Sequence, residues 1–222
     1  MLTPELFDHT ILKQDATEKE VEKVCLEAKA HQFASVCVNG YYTSYAARLL
    51  QGSPVKVCTV IGFPLGQMSA KAKCMETELA VADGAAEIDM VLNAGALKDG
   101  KYQEIEEEIR QVKKSCGQAL LKVILETCLL SAAEIQKACE LSAAAGADFV
   151  KTSTGFQAGG ATPEHVALMR KTVGGTMGVK AAGGIRSRET AIAMVKAGAN
   201  RLGTSATVAI YEGVSAGADT KV

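Results

Sequence analysis

Eight short runs of β-branched and apolar residues punctuate the chain, at residues 6–12, 35–39, 55–61, 86–92, 120–126, 149–153, 179–182 and 201–203. Runs this short, bounded by turn-forming residues, read as strands. Between them apolar residues recur at helical spacing, and several helix starts are marked. Thr17-Glu-Lys-Glu20 and Ser131-Ala-Ala-Glu134 have the form of capping boxes, and Thr162-Pro163 places proline at the first helical position. Eight strand–helix units in 222 residues average about 28 residues each, enough for one strand, one helix and two short loops.

A weak internal repeat has the same period. Asp83-Gly84-Ala85, Ala145-Gly146-Ala147 and Ala197-Gly198-Ala199 each place a glycine between a helix and the next strand, at intervals of 62 and 52 residues, about two units apiece. Glycine suits the residue after a helix end, where positive φ is needed. No linker or composition shift divides residues 1–222, so a single domain is expected. Eight parallel strands can form an open sheet or close on themselves. Equal unit size and the eightfold count favour a closed (β/α)8 barrel of the α/β class.

Composition removes several function classes. Hydrophobic residues make up 48% and charged residues 22%, which excludes wholesale disorder. A net charge of −1 gives no electrostatic footprint for nucleic acid or an anionic membrane. No apolar run reaches 18 residues, and residues 1–8 lack both the basic start and the apolar core of a signal peptide, so a cytoplasmic protein is expected. The seven cysteines form no C-x-x-C pair and leave one over, which suits reduced thiols. The three histidines are scattered, and no metal-ligand spacing is present.

In a barrel of this kind chemistry sits at the C-terminal ends of the strands. Asp89, Lys151 and Lys180 are the anomalies there, ionisable groups inside apolar strands. A structural Lys151–Asp89 ion pair, or lysines that snorkel to water, would explain a single case. Two lysines on adjacent strands point instead to Schiff-base chemistry. An ordinary lysine is under about 0.1% neutral at pH 7, and a second cation nearby together with partial desolvation favours the neutral nucleophile. Asp89 can relay protons between the steps. The residues alone do not decide which lysine attacks.

The last two strand ends differ in character. Ala181-Ala-Gly-Gly-Ile-Arg186-Ser187 and Arg201-Leu-Gly-Thr-Ser205 offer small residues and hydroxyls before helices, where backbone N–H groups of Gly183, Gly184 and Gly203 can approach a phosphate. Ser187 serves equally well as a helix N-cap. Cys37 points inward, most simply as a small core residue, and Glu126 ends the fifth strand as a candidate that serves equally well as a solvated loop acid. Residues 104–110 read as an exposed helix face, and His9 is left structural.

With these residues placed, the chain resembles the deoxyribose-phosphate aldolase family of class I aldolases. The matching stretches are Asp8-His-Thr10, Val36-Cys-Val-Asn39, Thr59-Val-Ile-Gly-Phe-Pro-Leu-Gly66, Glu87-Ile-Asp-Met-Val-Leu-Asn93, Leu121-Lys-Val-Ile-Leu-Glu-Thr127, Lys151-Thr-Ser-Thr-Gly-Phe156, Val179-Lys-Ala-Ala-Gly-Gly-Ile-Arg186 and Gly203-Thr-Ser205. The resemblance implies a TIM barrel that reversibly cleaves 2-deoxy-D-ribose 5-phosphate to D-glyceraldehyde 3-phosphate and acetaldehyde, in deoxyribose phosphate catabolism. It implies Lys151 as the Schiff-base nucleophile, Lys180 as its neighbouring cation and proton-transfer partner, and Asp89 as proton donor and acceptor. It further implies a pocket lined by Asp8, Thr10, Cys37 and Asn39, and a phosphate region of Gly183, Gly184, Arg186, Gly203, Thr204 and Ser205. No cofactor or metal is implied, and a dimer or tetramer of the chain is expected. Two departures stand out: residues 212–222 carry no aromatic where some members have a tyrosine-bearing tail, and Ala206 replaces a serine common in the final loop. A phosphosugar isomerase using Asp8 and Asp89 as acid and base is the rival enzyme, separated by borohydride trapping of an imine. A non-catalytic ligand-binding barrel would bind without turnover.

Overall fold

The computed structural model describes residues 2–214. Eight strands, β1 (Phe7–Thr10), β2 (Ser35–Val38), β3 (Lys56–Ile61), β4 (Glu87–Val91), β5 (Leu120–Ile124), β6 (Phe149–Lys151), β7 (Gly178–Ala182) and β8 (Arg201–Thr204), are all parallel and close in chain order, β1 pairing with both β2 and β8. The closed alternative expected from equal unit size is the one formed. Residues 11–12, 125–126 and 152–153, expected as strand, lie just beyond the observed strand ends, although Ile11, Leu125 and Thr152 still donate their backbone N–H groups to the neighbouring strand.

Helices α1 (Glu18–His31), α2 (Thr43–Leu50), α3 (Ala70–Ala82), α4 (Ala94–Lys98), α5 (Tyr102–Ser115), α6 (Ala132–Ala144), α7 (Pro163–Val173), α8 (Arg188–Lys196) and α9 (Thr207–Glu212) surround it, two of them following β4. Both capping boxes form, at Thr17 and Ser131, so in each helix the Glu at the third position answers the cap with a bond to its backbone N–H. Thr162 caps α7 ahead of Pro163. The three repeat glycines, Gly84, Gly146 and Gly198, have φ of 101°, 82° and 114°, the left-handed turn that releases each helix toward its strand.

The main core lies between sheet and helices. Val36, Ile88, Leu121, Val123, Val150, Val179 and Leu202 pack there with helix residues such as Val21, Ile109, Ile135, Val166 and Met194. Because side chains alternate along a strand, the other set faces the barrel axis. That interior holds a small apolar cluster of Leu12, Cys37, Cys58 and Val60, with Phe63 against it, and beside it a set of charged side chains. The run 104–110 is only partly a solvated face. Glu108 turns inward to Lys73 of α3 at 2.7 Å, and the same ammonium donates to the Val91 carbonyl oxygen at 2.9 Å, tying two helices to the end of β4. His9 faces outward from β1 and pairs with Glu27 of α1 at 2.8 Å, a structural role as expected.

Candidate active site

Parallel pairing sets neighbouring residues at one height. Lys151 of β6 is level with Lys180 of β7, and Asp89 of β4 is level with Lys122 of β5, all on the inner face. Asp89 binds all three lysines. Its Oδ2 lies 2.8 Å from both Lys151 Nζ and Lys180 Nζ, and its Oδ1 lies 2.7 Å from Lys122 Nζ. Lys180 Nζ also meets Asp8 Oδ2 at 2.5 Å, while Arg201 and the Ser35 hydroxyl hold Asp8 Oδ1 at 2.6 and 2.7 Å. Lys122 and Arg201 share Glu87, at 2.6 and 3.1 Å. In direct contact, then, four cations (Lys122, Lys151, Lys180, Arg201) face three anions (Asp8, Glu87, Asp89).

Titration in this cluster is governed by those contacts. Burial works to raise the Asp89 and Asp8 carboxyls, but the surrounding lysines, joined at Asp8 by Arg201, outweigh it and hold both below the usual carboxylate range. Burial works to lower Lys180 and Lys122, but their carboxylates outweigh it and keep both ammoniums firmly protonated. Of the three lysines, Lys151 alone lines an opening to solvent, together with Thr10, Leu12, Thr154, Gly155, Ala182, Gly183, Gly203, Thr204 and Ser205.

The expected residues divide accordingly. Thr10, Gly183, Gly203, Thr204 and Ser205 line the Lys151 pocket. Asp8 and Cys37 lie beneath it, fully buried. Asn39 lines an adjoining cleft walled by the aromatic rings of Tyr41, Tyr42, Phe63 and Phe156, and its Nδ2 donates to the Leu12 carbonyl oxygen at 3.1 Å. Gly184 and Arg186 are exposed beside the pocket and do not line it. Ser187 is an N-cap, its hydroxyl accepting from Thr190 N at 3.2 Å. The Thr204 hydroxyl donates to the Ile185 carbonyl oxygen at 2.7 Å and accepts from Ala206 N at 3.0 Å, so it joins the last two loops rather than pointing free. Gly183 has φ of 86°, and a Cβ there would stand 3.2 Å from both Gly160 Cα and Ser153 Cβ, so the loop after β6 packs directly on it. Residues 215–222 of the tail lie outside the described residues.

Sequence reasoning missed Lys122, Glu87 and Arg201, and it left Glu126 open between a strand-end candidate and a solvated loop acid. Far from being a solvated acid, Glu126 is 4% exposed and sits at φ 56°, ψ 62°, a conformation that costs a non-glycine residue. Both its oxygens accept from Thr154 N at 3.3 Å, and the Thr154 hydroxyl donates to Oε2. Burial raises this carboxyl, against the bonds from Thr154. The strained acid thus fixes the loop that carries Thr154 and Gly155 beside Lys151. Cys37, Cys58 and Asp89 also offer ligand atoms within 4.8 Å of one another, a group no sequence spacing displays. Asp89 already takes the Lys122 ammonium on Oδ1, and that resident charge repels a further cation.

Comparison with known proteins places this geometry. The model of the DeoC/LacD family of aldolases matches residues 5–220. The chain belongs to the DeoC/LacD family of aldolases. It is 59% identical over 207 residues to the deoxyribose-phosphate aldolase of Brevibacillus brevis, covering 93% of this chain and 94% of that protein. It is 57% identical over 212 residues to the one from a Geobacillus strain, covering 95% of each. Among solved structures, a deoxyribose phosphate aldolase from Aeropyrum pernix, described as a unique tetramer, superposes with a TM-score of 0.86 at 36% identity, over 94% of this chain and 89% of that one. Members of the family are lyases. The Lys151 pocket is lined by the last residues of β1, β6, β7 and β8 (Thr10, Lys151, Ala182 and Thr204), at the C-terminal strand ends where active sites of this fold lie, with the charged cluster reaching down the barrel from it.

Proposed function

We propose that the chain reversibly cleaves 2-deoxy-D-ribose 5-phosphate to D-glyceraldehyde 3-phosphate and acetaldehyde through an imine on Lys151, in deoxyribose phosphate catabolism. Neutral Lys151 Nζ attacks the C1 aldehyde of the open-chain sugar, and loss of water from the carbinolamine leaves an iminium. The C3 hydroxyl gives up its proton, the C2–C3 electron pair moves into the iminium, and the three-carbon phosphate departs, leaving an enamine. Protonation at C2 and hydrolysis release acetaldehyde and restore the lysine. Asp89 Oδ2, at 2.8 Å from both Lys151 and Lys180, is the atom through which protons pass between them.

The observation that carries this reading is the charge count. Four cations meet three anions, so the loss of one proton leaves the cluster neutral, and Lys151 is the member of it that faces the pocket. The iminium restores the same positive charge beside Asp89. The isomerase alternative needs one carboxyl that rests protonated as the acid, whereas Asp8 and Asp89 are both held ionised by the cations around them. A relay through Asp89 needs only a resting carboxylate that takes a proton and passes it on. Acetaldehyde plus borohydride should therefore add a stable two-carbon mass to the peptide containing Lys151. A mass on the Lys180 peptide, or none, overturns the reading.

The phosphate end is assigned to Gly183, Gly184, Gly203, Thr204 and Ser205, with Arg186 at its rim. Gly203 has a further constraint, since a Cβ there would lie 2.9 Å from Lys180 Cε and 3.2 Å from Ala182 Cβ. Gly203→Val should for that reason displace Lys180 and lower kcat/KM by a similar factor for 2-deoxyribose 5-phosphate and for unphosphorylated 2-deoxyribose, as a two-substrate comparison would read. A loss confined to the phosphorylated sugar would make Gly203 a phosphate contact alone.

One domain over residues 1–222, assembly into a dimer or tetramer, and a cytoplasmic location complete the reading. They are supported in turn by relatives covered nearly end to end, by the tetrameric Aeropyrum protein, and by seven unpaired thiols with no helix among the described residues long and apolar enough to cross a membrane.

A further inference from the structure

Lys122 and Glu87 have no part in the steps above, yet both are buried at the centre of the barrel. Lys122 binds the oxygen of Asp89 that faces away from Lys151 and Lys180, and its ammonium also reaches Glu87 at 2.6 Å, the Cys58 thiol at 3.3 Å and Asp8 at 3.9 Å. Neither side chain lines the pocket. A buried ammonium is costly unless it is paired, and each ion-pair partner of Lys122 belongs to the cluster around Lys151.

We infer that Lys122 and Glu87 act as positioning residues for charge, setting the balance against which Lys151 gives up its proton, with Lys122 neutralising the far oxygen of Asp89. This rests on the reading of Lys151 as nucleophile. With Lys122 present, half of the Asp89 carboxylate is already satisfied and the cluster carries one cation in excess, so release of a proton at the pocket brings it to neutrality. Without the Lys122 charge, three cations would face three anions, and the full Asp89 charge would hold the Lys151 ammonium. Without the Glu87 charge the excess grows to two, and the proton leaves more readily. The other ionisable groups around Lys151 are Lys180 from β7, Asp8 from β1, Arg201 from β8, Cys37 and Cys58 from β2 and β3, and Glu126 beyond β5. Glu126 bonds Thr154 and is in no ion pair with the four cations, so its charge acts on Lys151 from outside the contact network and is the same in every variant compared below.

The pH at which acetaldehyde and borohydride half-maximally label Lys151 reads this balance directly. Lys122→Met should move that midpoint upward by about one to two pH units, the effect expected of one charge at close range in a buried site. Glu87→Gln should move it downward. Glu87→Gln combined with Lys122→Met restores the single excess cation and should return the midpoint to near that of the unmodified protein. A purely structural role for Lys122 would lower the amount of labelled protein and leave the midpoint fixed. A fixed midpoint in Lys122→Met overturns the inference, as does a double variant that stays shifted. Should Lys122→Met fail to fold, Glu87→Gln and the double variant, in which a buried pair is replaced as a pair, decide the matter in the same way. Label on Lys180 overturns the proposed function instead, and peptide mapping tells the two failures apart.

Discussion

Lys151→Ala should abolish both turnover and borohydride labelling while leaving a folded protein of near-normal stability. The two halves of that expectation have separate causes. Removing the nucleophile removes the covalent route altogether, so kcat should fall by about 10⁴-fold or more, as for other enzymes that lose the residue forming the covalent intermediate. Stability should survive because the substitution takes away the cation in excess. Lys122, Lys180 and Arg201 remain against Asp8, Glu87 and Asp89, and Asp89 Oδ2 keeps Lys180 at 2.8 Å. The truncated side chain also borders the pocket, so water can occupy the space it leaves. Urea unfolding together with the activity assay separates these effects. A variant that unfolds as readily as one lacking Asp89 would mean that Lys151 holds the cluster together. Residual labelling at Lys180 would mean that the second lysine can also attack.

How far the sequence reveals this site depends on which physical signal each residue carries. The strands are visible because β-branched runs alternate with capped helices, and closure follows from equal unit size. Asp89, Lys151 and Lys180 stand out as ionisable groups in apolar strands near their C-terminal ends. Lys122 carries the same anomaly, flanked by Leu121 and Val123, and Glu87 and Arg201 sit one residue before Ile88 and Leu202. What hides these three is depth. Register between strands sets the height of a residue in the barrel, and only the pairing of Asp89 with Lys122, of Lys151 with Lys180 and of Lys180 with Arg201 brings them to one place. Loop direction is hidden for a similar reason. Asn39 and Arg186 follow the right strands, but one bonds the chain after β1 and the other points to solvent. The left-handed backbone at Glu126 carries no compositional mark, since that conformation is ordinarily a glycine's. Gly203 carries a second constraint with no mark of its own, because a small residue that gives room to Lys180 looks in sequence like one that gives room only to a phosphate.

Asp89→Asn should be among the most destabilising single substitutions in this chain. Its carboxylate is fully buried and touches three ammoniums, so the amide leaves four cations facing Asp8 and Glu87 alone. Breaking a buried ion pair from one side costs about 3–5 kcal/mol, because the partner charges stay buried without compensation. Lys151 can shed its proton and relieve part of that, which places the expected loss within this range rather than above it. The dependence on acidity should change as well. Asp89 and Asp8 titrate below the usual carboxylate range in the folded protein, whereas in the unfolded chain an Asp takes up its proton near pH 3.9. Below that value the unfolded state binds more protons, so the stability these groups contribute is fully present above about pH 4 and is lost as the pH falls toward their folded values. Replacing Asp89 removes one of the two groups, and the fall of stability between about pH 4 and pH 2 should become shallower at the same time as its neutral-pH plateau drops. Urea midpoints measured across that range would show both changes. A lowered plateau with an unchanged slope would mean that the acid sensitivity belongs to Asp8, held by Lys180 and Arg201, and that Asp89 is needed for its shape and hydrogen bonds more than for its charge.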